Sequence, residues 1–226
     1  MFLLPQFFVA PVFSELFNMM PLDGRSRATI FAFALFAAAC SQTNDAANSA
    51  ILEPRPETVI ADNFAYPVGP GEYVTQTRDK RDEWYNALDF GEENHLGEDW
   101  NKNSGGNTDC GEPVYSIANG VVTYAADAGP GWGNVVIITH TLPDGKRVQS
   151  LYGHLKEILR TEGEVMYREK IGTIGDANGR YLCHLHLEIR EEYCPSWDMV
   201  FVGYSPIRYG WVDPSDFIDQ RPGERK

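Results

Sequence analysis

The chain has 226 residues, of which 43% are hydrophobic and 12% aromatic, so it has enough apolar material for a packed core and wholesale disorder is excluded. Its formal net charge of −13 and its lack of clustered basic residues argue against a nucleic-acid-binding function. The 21 glycines and 14 prolines, with few long helix-period stretches, favour one domain of short strands joined by tight turns.

The N-terminal region has the features of an export signal. An apolar run, 28–39, follows Arg25 and Arg27 and ends at Cys40. A basic stretch before a short apolar run is typical of a secretory signal. The run is too short for a transmembrane helix, which needs about 20 residues. Because small residues precede Cys40 and the polar stretch 41–44 follows it, the segment resembles the lipobox of bacterial lipoproteins and predicts lipidation at Cys40.

Two details of this region leave an alternative open. Ala37 stands where a lipobox usually has Leu, so an ordinary signal peptide with an incidental Cys40 is the competing interpretation. Met19 or Met20 would begin a signal of conventional length. We therefore expect residues 1–18 to be a misassigned start.

The composition divides the chain into four regions. Residues 1–39 form the signal region, and 40–65 are rich in Ser, Asn, Ala, Pro and Glu without apolar periodicity, which predicts a flexible tether. The folded domain is predicted to span 66–218. A polar tail, 219–226, follows it.

Short runs rich in β-branched and aromatic residues recur through the folded domain. A Leu-Pro-Asp-Gly sequence, 142–145, has the chemistry of a hairpin turn, and 156–160 is predicted to form a helical turn at most. The domain is therefore predicted to be mainly β, as a small antiparallel sheet. The predicted strands are 114–124, 134–141, 147–154 and 184–190.

The first candidate site element is the sequence Cys-His-Leu-His-Leu-Glu-Ile-Arg, 183–190. In a strand, alternation places His184, His186 and Glu188 on one face and the leucines towards the core. The two imidazoles then lie ~6.6 Å apart along the strand, so they can address one small site. For a lone His-x-His pair, a solvated face of an edge strand is the more common explanation.

Two further elements contain histidine. His95 and Asp99 are separated by residues that include Gly97, and in an extended strand their α-carbons would lie ~13 Å apart. Gly97 permits a bend that brings them together, and both side chains are good zinc donors. His154 follows a predicted strand and a glycine; alone, it would be interpreted as a core or surface histidine.

Taken together, these fragments resemble the lysostaphin/LytM-type zinc metalloendopeptidases of peptidoglycan. The order His-x-Gly-x-Asp, Ser-x-Tyr-x-His-Leu and His-Leu-His-x-Glu-Ile-Arg matches that family's pattern. The resemblance extends over 66–218 and implies a small antiparallel β-sheet domain with an active-site groove. Further matching segments are 111–122, 131–140, 171–175 and 211–214.

The resemblance also assigns roles to individual residues. It implies that His95, Asp99 and His186 bind one zinc ion per chain, and that His154 and His184 are catalytic histidines that do not bind the metal. Two imidazoles, one carboxylate and water make a tetrahedral site with an open position, as catalytic zinc requires. The remaining histidine, at 140, is interpreted as structural. The sequence contains no His-Glu-x-x-His, which excludes a zincin-type helix site.

The chain departs from the family pattern beside the groove. Residues 178–183 replace a Gly/Ser/Pro-rich approach to the His-x-His pair, and 166–170 replace a glycine turn. Tyr85 is the candidate for the tyrosine that assists the oxyanion in some relatives. Glu188 is interpreted as solvated rather than as a residue that supports a metal ligand.

The cysteines leave the disulfide pattern undecided. If Cys40 carries lipid, an odd number remains, and no pairing follows from the sequence. An exported location permits a disulfide. Cys183 precedes His184 but is predicted to point towards the core, so it is given no role as a zinc ligand. The three remaining cysteines are Cys110, Cys183 and Cys194.

The resulting prediction is an exported zinc endopeptidase that cuts peptide stems or cross-links of bacterial peptidoglycan. Its expected location is the periplasmic side of a bacterial membrane, which it contacts only through the lipid anchor. The alternative is a non-catalytic relative that binds and activates other cell-wall hydrolases. Such regulators usually lose zinc ligands, and all five family positions are intact here, so the enzyme is favoured.

Overall fold

The computed structural model describes residues 59–70, 83–197 and 201–222. The predicted signal region, Cys40 and most of the predicted tether lie outside these residues, and those predictions therefore stand untested. Within the described part of the chain, no helix is long and apolar enough to span a membrane.

The described residues form a mainly β domain in which every pair of named strands is antiparallel. This confirms the predicted fold class. One short α-helix, α1 (Pro214–Asp219), follows the last strand, and a 3-10 helix (Glu92–Asn94) precedes the second. The strands are β1 (Trp84–Leu88), β2 (Glu98–Lys102), β3 (Pro113–Tyr115), β4 (Gly120–Asp127), β5 (Asn134–Thr141), β6 (Arg147–Ile158), β7 (Gly163–Val165), β8 (Lys170–Ile174), β9 (Leu185–Glu191) and β10 (Trp211–Val212).

The sheet order brings three distant parts of the sequence together. The main path runs β1-β2-β9-β6-β5-β4-β7, with β10 beside β9 and with β8 pairing both β3 and β6. In this register His186 on β9 lies opposite Asp99 on β2 and opposite Gly153 on β6. Because His154 follows Gly153, the candidate site residues meet at one place on three neighbouring strands.

The strands at the centre of the sheet are buried on both faces. On β9, Leu185, Leu187 and Ile189 belong to the main core, as their alternation predicts. The opposite face of β9, with His186 and Glu188, is buried as well. The predicted alternation is therefore correct, but the histidine face of this strand is not exposed to solvent.

The hairpin predicted at 142–145 is present between β5 and β6. Its turn is closed by hydrogen bonds from the backbone N–H of Leu142 to the carbonyl of Lys146 and from that of Gly145 to the carbonyl of Leu142. Gly145 adopts a φ of 84°, which a residue without Cβ accommodates at little cost.

Two predicted elements are wrong in detail. The single strand predicted over 114–124 is two strands, β3 and β4, and the Ser116 hydroxyl donates to the Ala118 carbonyl in the bend between them. The helical turn predicted over 156–160 does not form, because β6 continues to Ile158 and Glu157 pairs with Thr173 of β8. Pairing with a distant strand overrides local propensity here.

The packed domain begins earlier than residue 66. Ala61, Phe64 and Ala65 are buried, although the composition of 40–65 predicts a flexible tether. The N–H of Ala61 donates to the Thr141 carbonyl, and the N–H of Phe64 donates to the Arg221 carbonyl. Part of the predicted tether and the start of the predicted tail therefore pack on the domain.

Candidate metal and catalytic site

Three side chains place one donor atom each around a single point. The Nε2 of His95 lies 2.9 Å from the Nδ1 of His186 and 3.4 Å from the Oδ1 of Asp99. The Nδ1 of His186 and the Oδ1 of Asp99 lie 3.0 Å apart. Donors that each lie ~2.0–2.1 Å from a tetrahedral zinc ion are separated by about 3.3 Å. The predicted set of His95, Asp99 and His186 therefore fits one zinc ion.

Gly97 allows the segment that carries His95 and Asp99 to lie against β9. A Cβ at this position would lie 2.3 Å from the carbonyl oxygen of Leu187 and 2.9 Å from the Cγ of Glu188. Any side chain would push the segment between His95 and Asp99 away from β9. The bend expected at Gly97 is thus also a close approach of two backbones.

Glu188 holds the His186 ring in place. The prediction that Glu188 is solvated is wrong. Its side chain is fully buried, and its Oε1 lies 3.1 Å from the Nε2 of His186. Its Oε2 accepts hydrogen bonds from the Nε of Arg190 at 2.8 Å and the Nε1 of Trp211 at 2.9 Å. A proton on Nε2 that is donated to Glu188 leaves the Nδ1 lone pair directed at the other two donors.

The charges around this point favour a cation. Burial opposes ionisation of Asp99, but hydrogen bonds from His186 and His95 hold its pKa well below the usual range. Burial also opposes protonation of His186, but its bonds to Asp99 and Glu188 raise its pKa to about 9. Arg190 balances the charge of the buried Glu188, so the negative charge that favours a cation at this point is that of the partly buried Asp99.

His154 and His184 lie beside the three donors, with their ring centroids 4.7 Å apart. The Nδ1 of His154 is 3.1 Å from the Trp132 carbonyl oxygen, and that of His184 is 2.8 Å from the Leu182 carbonyl oxygen. Because a carbonyl only accepts, each Nδ1 carries a proton, and in a neutral ring the Nε2 then keeps a lone pair. Burial, with the charges of His186 and His184, lowers the pKa of His154 to about 3.

A cavity of about 250 Å³ opens over these residues, and we call it the histidine cavity. Its aromatic walls were not predicted. Trp132 packs edge-on against His186, and the ring of Tyr204 lies 5.0 Å from that of His95. The cavity is lined by Asp99, Gly131, Trp132, His154, Tyr181, His184, His186, Val202, Gly203 and Tyr204.

The tyrosine suggested from sequence is not in this cavity. Tyr85 lies on β1 and is not one of the lining residues, whereas Tyr204 and Tyr181 are. The sequence does carry a signal for Trp132, because this residue falls within the segment 131–140 that matches the family pattern. Tyr204 follows no motif in the sequence, and only its bridge to His95 brings it to the site.

His140 lies in the core, away from the cavity. Its Nδ1 is 2.7 Å from the Asn119 carbonyl oxygen and its Nε2 is 2.7 Å from the Ser150 hydroxyl. Burial lowers its pKa to about 4, so its neutral form is favoured. These contacts agree with the structural role expected for this residue.

The structure decides which cysteines pair. Cys110 and Cys183 form a disulfide, and Cys194 is a buried free thiol. The disulfide joins the loop that follows β2 to the residue just before His184. The N–H of Cys183 also donates to the Asn107 side chain at 2.9 Å, so the approach to β9 is fixed on this side.

Comparison with known proteins identifies the family. The model of peptidase family M23 matches residues 93–197, a range that includes all five candidate site residues. Lipoprotein NlpD of Yersinia enterocolitica is 40% identical over 81 residues, which are 35% of this chain and 78% of NlpD. The chain belongs to peptidase family M23.

Two other similarities cover different shares of the proteins compared. DD-carboxypeptidase/endopeptidase Mpg of Neisseria meningitidis serogroup B is 39% identical over 80 residues, and the match spans only 17% of the length of Mpg. The catalytic domain of the antimicrobial peptidase lysostaphin from Staphylococcus simulans is 18% identical, with 71% of this chain and 92% of that domain covered and a TM-score of 0.41.

Proposed function

We propose that the protein is a zinc-dependent endopeptidase that hydrolyses peptide stems or cross-links of bacterial peptidoglycan. The observation that carries the proposal is the cluster of three donor atoms, 2.9–3.4 Å apart, beside two imidazoles whose Nδ1 atoms are held by backbone carbonyls. Membership of peptidase family M23 supports the same reaction class.

In this proposal each side chain has a defined task. His95, Asp99 and His186 would hold the zinc ion, which when bound supplies Lewis acidity that polarises the scissile carbonyl and acidifies water. The Nε2 atoms of His154 and His184 orient the attacking water, accept its proton and return a proton to the leaving amine. Once protonated, the same atoms donate hydrogen bonds to the oxyanion.

The test combines metal analysis with product analysis. The purified full chain should contain about one zinc per molecule and release muropeptides from purified sacculi, with the cleaved bond identified by mass spectrometry. Chelation should abolish the release and added zinc should restore it. A protein that stays metal-free in zinc-supplemented buffer, yet stimulates another wall hydrolase, would be the non-catalytic activator instead.

We also propose that the protein acts in the cell envelope, anchored by lipid at Cys40. The signal-like segment before Cys40 and the similarity to lipoprotein NlpD support this location. The Cys40→Ala variant should move from the membrane fraction to the soluble fraction. Recovery of the unaltered protein in the soluble fraction would contradict the anchor.

A further inference from the structure

A second cavity, of about 310 Å³, lies beside the histidine cavity, and the two share Gly131 as a lining residue. We call it the Arg180 cavity. Because Gly131 lines both cavities, a peptide that extends from the histidine cavity past this residue would reach the Arg180 cavity. The lining residues are Asp127, Gly129, Pro130, Gly131, Ala177, Asn178 and Arg180.

Its walls are two loops held close together. One is the turn between β4 and β5, and the other is the segment between β8 and β9. A Cβ at Gly133 would lie 2.9 Å from the Cα of Ala177, so the loops approach to backbone contact. The carbonyl of Asp176 accepts from the N–H groups of Arg180 and Tyr181, which fixes the second loop. The backbone of the two loops therefore shapes the cavity.

The cavity is lined by one positive and one negative side chain, both exposed to solvent, that form no ion pair with each other. The guanidinium of Arg180 makes no hydrogen bond or ion pair with any of the described residues. The Asp127 carboxylate is occupied by neutral donors only, the Gly129 N–H at 2.8 Å and the Asn178 amide at 3.5 Å. Opposite charges held apart in a cleft are complementary to a ligand that carries both charges.

We propose that the Arg180 cavity is a substrate subsite that binds a free α-amino-acid group, an ammonium and a carboxylate on one carbon. Arg180 would bind the carboxylate through paired N–H groups, and Asp127 would accept hydrogen bonds from the ammonium. The uncross-linked end of a diaminopimelate residue in a peptide stem carries this group. The inference rests on the proposed peptidase function and names the part of the substrate that is recognised.

The charge balance favours this ligand over a simple anion. Arg180 and Asp127 cancel in net charge, and the whole chain carries −13. A lone carboxylate beside Arg180 would meet the unbalanced charge of Asp127, whereas an adjacent ammonium removes that repulsion. Residues 178–180 belong to the segment in which the chain departs from the family pattern, so the subsite would be a property of this chain.

The experiment uses three synthetic stem peptides that share the same cleavable bond. One ends in a diaminopimelate side chain with free amino and carboxyl groups, the second has that carboxyl amidated, and the third has that amine acetylated. The unaltered full chain should cleave the first with a kcat/KM at least about 10-fold higher than either blocked peptide, because a charge-assisted hydrogen bond is lost in each.

Two variants separate the two contacts. Arg180→Gln should lose the preference over the amidated peptide, and Asp127→Asn should lose the preference over the acetylated one. Asn keeps the oxygen that accepts from Gly129, so the turn is retained. The matched control is Lys146→Gln, which removes an exposed charge from the hairpin at the other end of β5 and should keep both preferences.

The outcomes separate the subsite from the proposed function. Cleavage of all three peptides at equal kcat/KM, or an equal loss on all three in Arg180→Gln, would overturn the subsite and leave the peptidase intact. If none of the peptides is cleaved, calorimetry measures the binding of the same three peptides. Preferential binding of the free end without cleavage would support the subsite and overturn the peptidase, and equal binding without cleavage would overturn both.

Discussion

His184 lies just before β9 and His186 lies within it, but their contacts differ. His186 directs Nδ1 at Asp99 and His95, whereas His184 anchors its own Nδ1 on the Leu182 carbonyl and lies 3.7 Å from the second Asp99 oxygen. A ligand and a proton-transfer residue are expected to fail differently when they are replaced. The pair therefore offers a direct test of the site.

His186→Ala should lower zinc content and hydrolysis together, because one of three protein donors is removed. His184→Ala should keep the zinc and the fold while the rate falls by ~10²–10⁴-fold, the usual contribution of general acid–base catalysis. His154→Ala should behave like His184→Ala. Metal content, thermal melting and rate on the same purified variants provide the check. Equal zinc retention in His184→Ala and His186→Ala would mean that the roles are wrongly assigned.

Glu188 offers a second test at this scale. Glu188→Gln keeps the shape of the side chain but removes the charge that faces His186 and Arg190. Loss of such a partner should weaken zinc binding by about 10–100-fold, measured by competition with a chelator. The metal-free variant should also melt at a lower temperature, because Arg190 is fully buried and would lose its counter-ion.

The control for this variant is Glu191→Gln on the same strand, which removes a charge outside the histidine cavity. It should leave both zinc affinity and melting temperature nearly unchanged. If Glu188→Gln bound zinc as tightly as the unaltered protein, Glu188 would be a purely structural residue of the core.

At the scale of the elements, β9 is the central component of the site. Its register against β2 and β6 decides that His186 meets Asp99 and lies next to His154. A shift by one residue would reverse the two faces and bury leucines at the site instead. The approach to β9 is held by the Cys110–Cys183 disulfide, which closes a loop with a sequence separation of 73.

Cys110→Ser should lower the free energy of unfolding by about 2–5 kcal/mol, because the unfolded chain regains the entropy that the long closed loop removes. Denaturant unfolding with and without reductant measures this. Reductant should destabilise the unaltered protein to a similar extent and leave Cys110→Ser unaffected. A reductant effect that persists in Cys110→Ser would show that another thiol is responsible.

At the scale of the molecule, a segment outside the sheet closes the core. Phe64 lies edge-on to Phe217 of α1 and to His140, so the beginning and the end of the described chain pack against the same part of the core. The domain therefore depends on residues before the predicted boundary at 66.

Phe64→Ala should reduce the free energy of unfolding by about 3–5 kcal/mol, the usual cost of removing a buried aromatic ring. Ile60→Ala is the matched control, since Ile60 is 39% exposed and should change stability by less than about 1 kcal/mol. Urea titrations of both variants give the comparison. Similar small effects in the two would mean that this segment is dispensable for the fold.

Local patterns were sufficient to predict the fold class, whereas the set of candidate site residues came from the resemblance to a known family. Alternation on β9, the Asp-Gly turn after β5 and the bounds of β5 itself depend on neighbours in sequence, and the structure has them as predicted. Gly97 between His95 and Asp99 indicated a bend, because glycine is conformationally permissive.

Other features depend on which strands become neighbours, and only the tertiary structure decides them. The pairing of Cys110 with Cys183, the burial of Glu188 under Trp211 and the arrival of Tyr204 at His95 each join residues that are far apart in sequence. The continuation of β6 to Ile158 likewise depends on β8. Such contacts form because strand pairing and core packing act between distant segments, and no local pattern in the sequence records the partner.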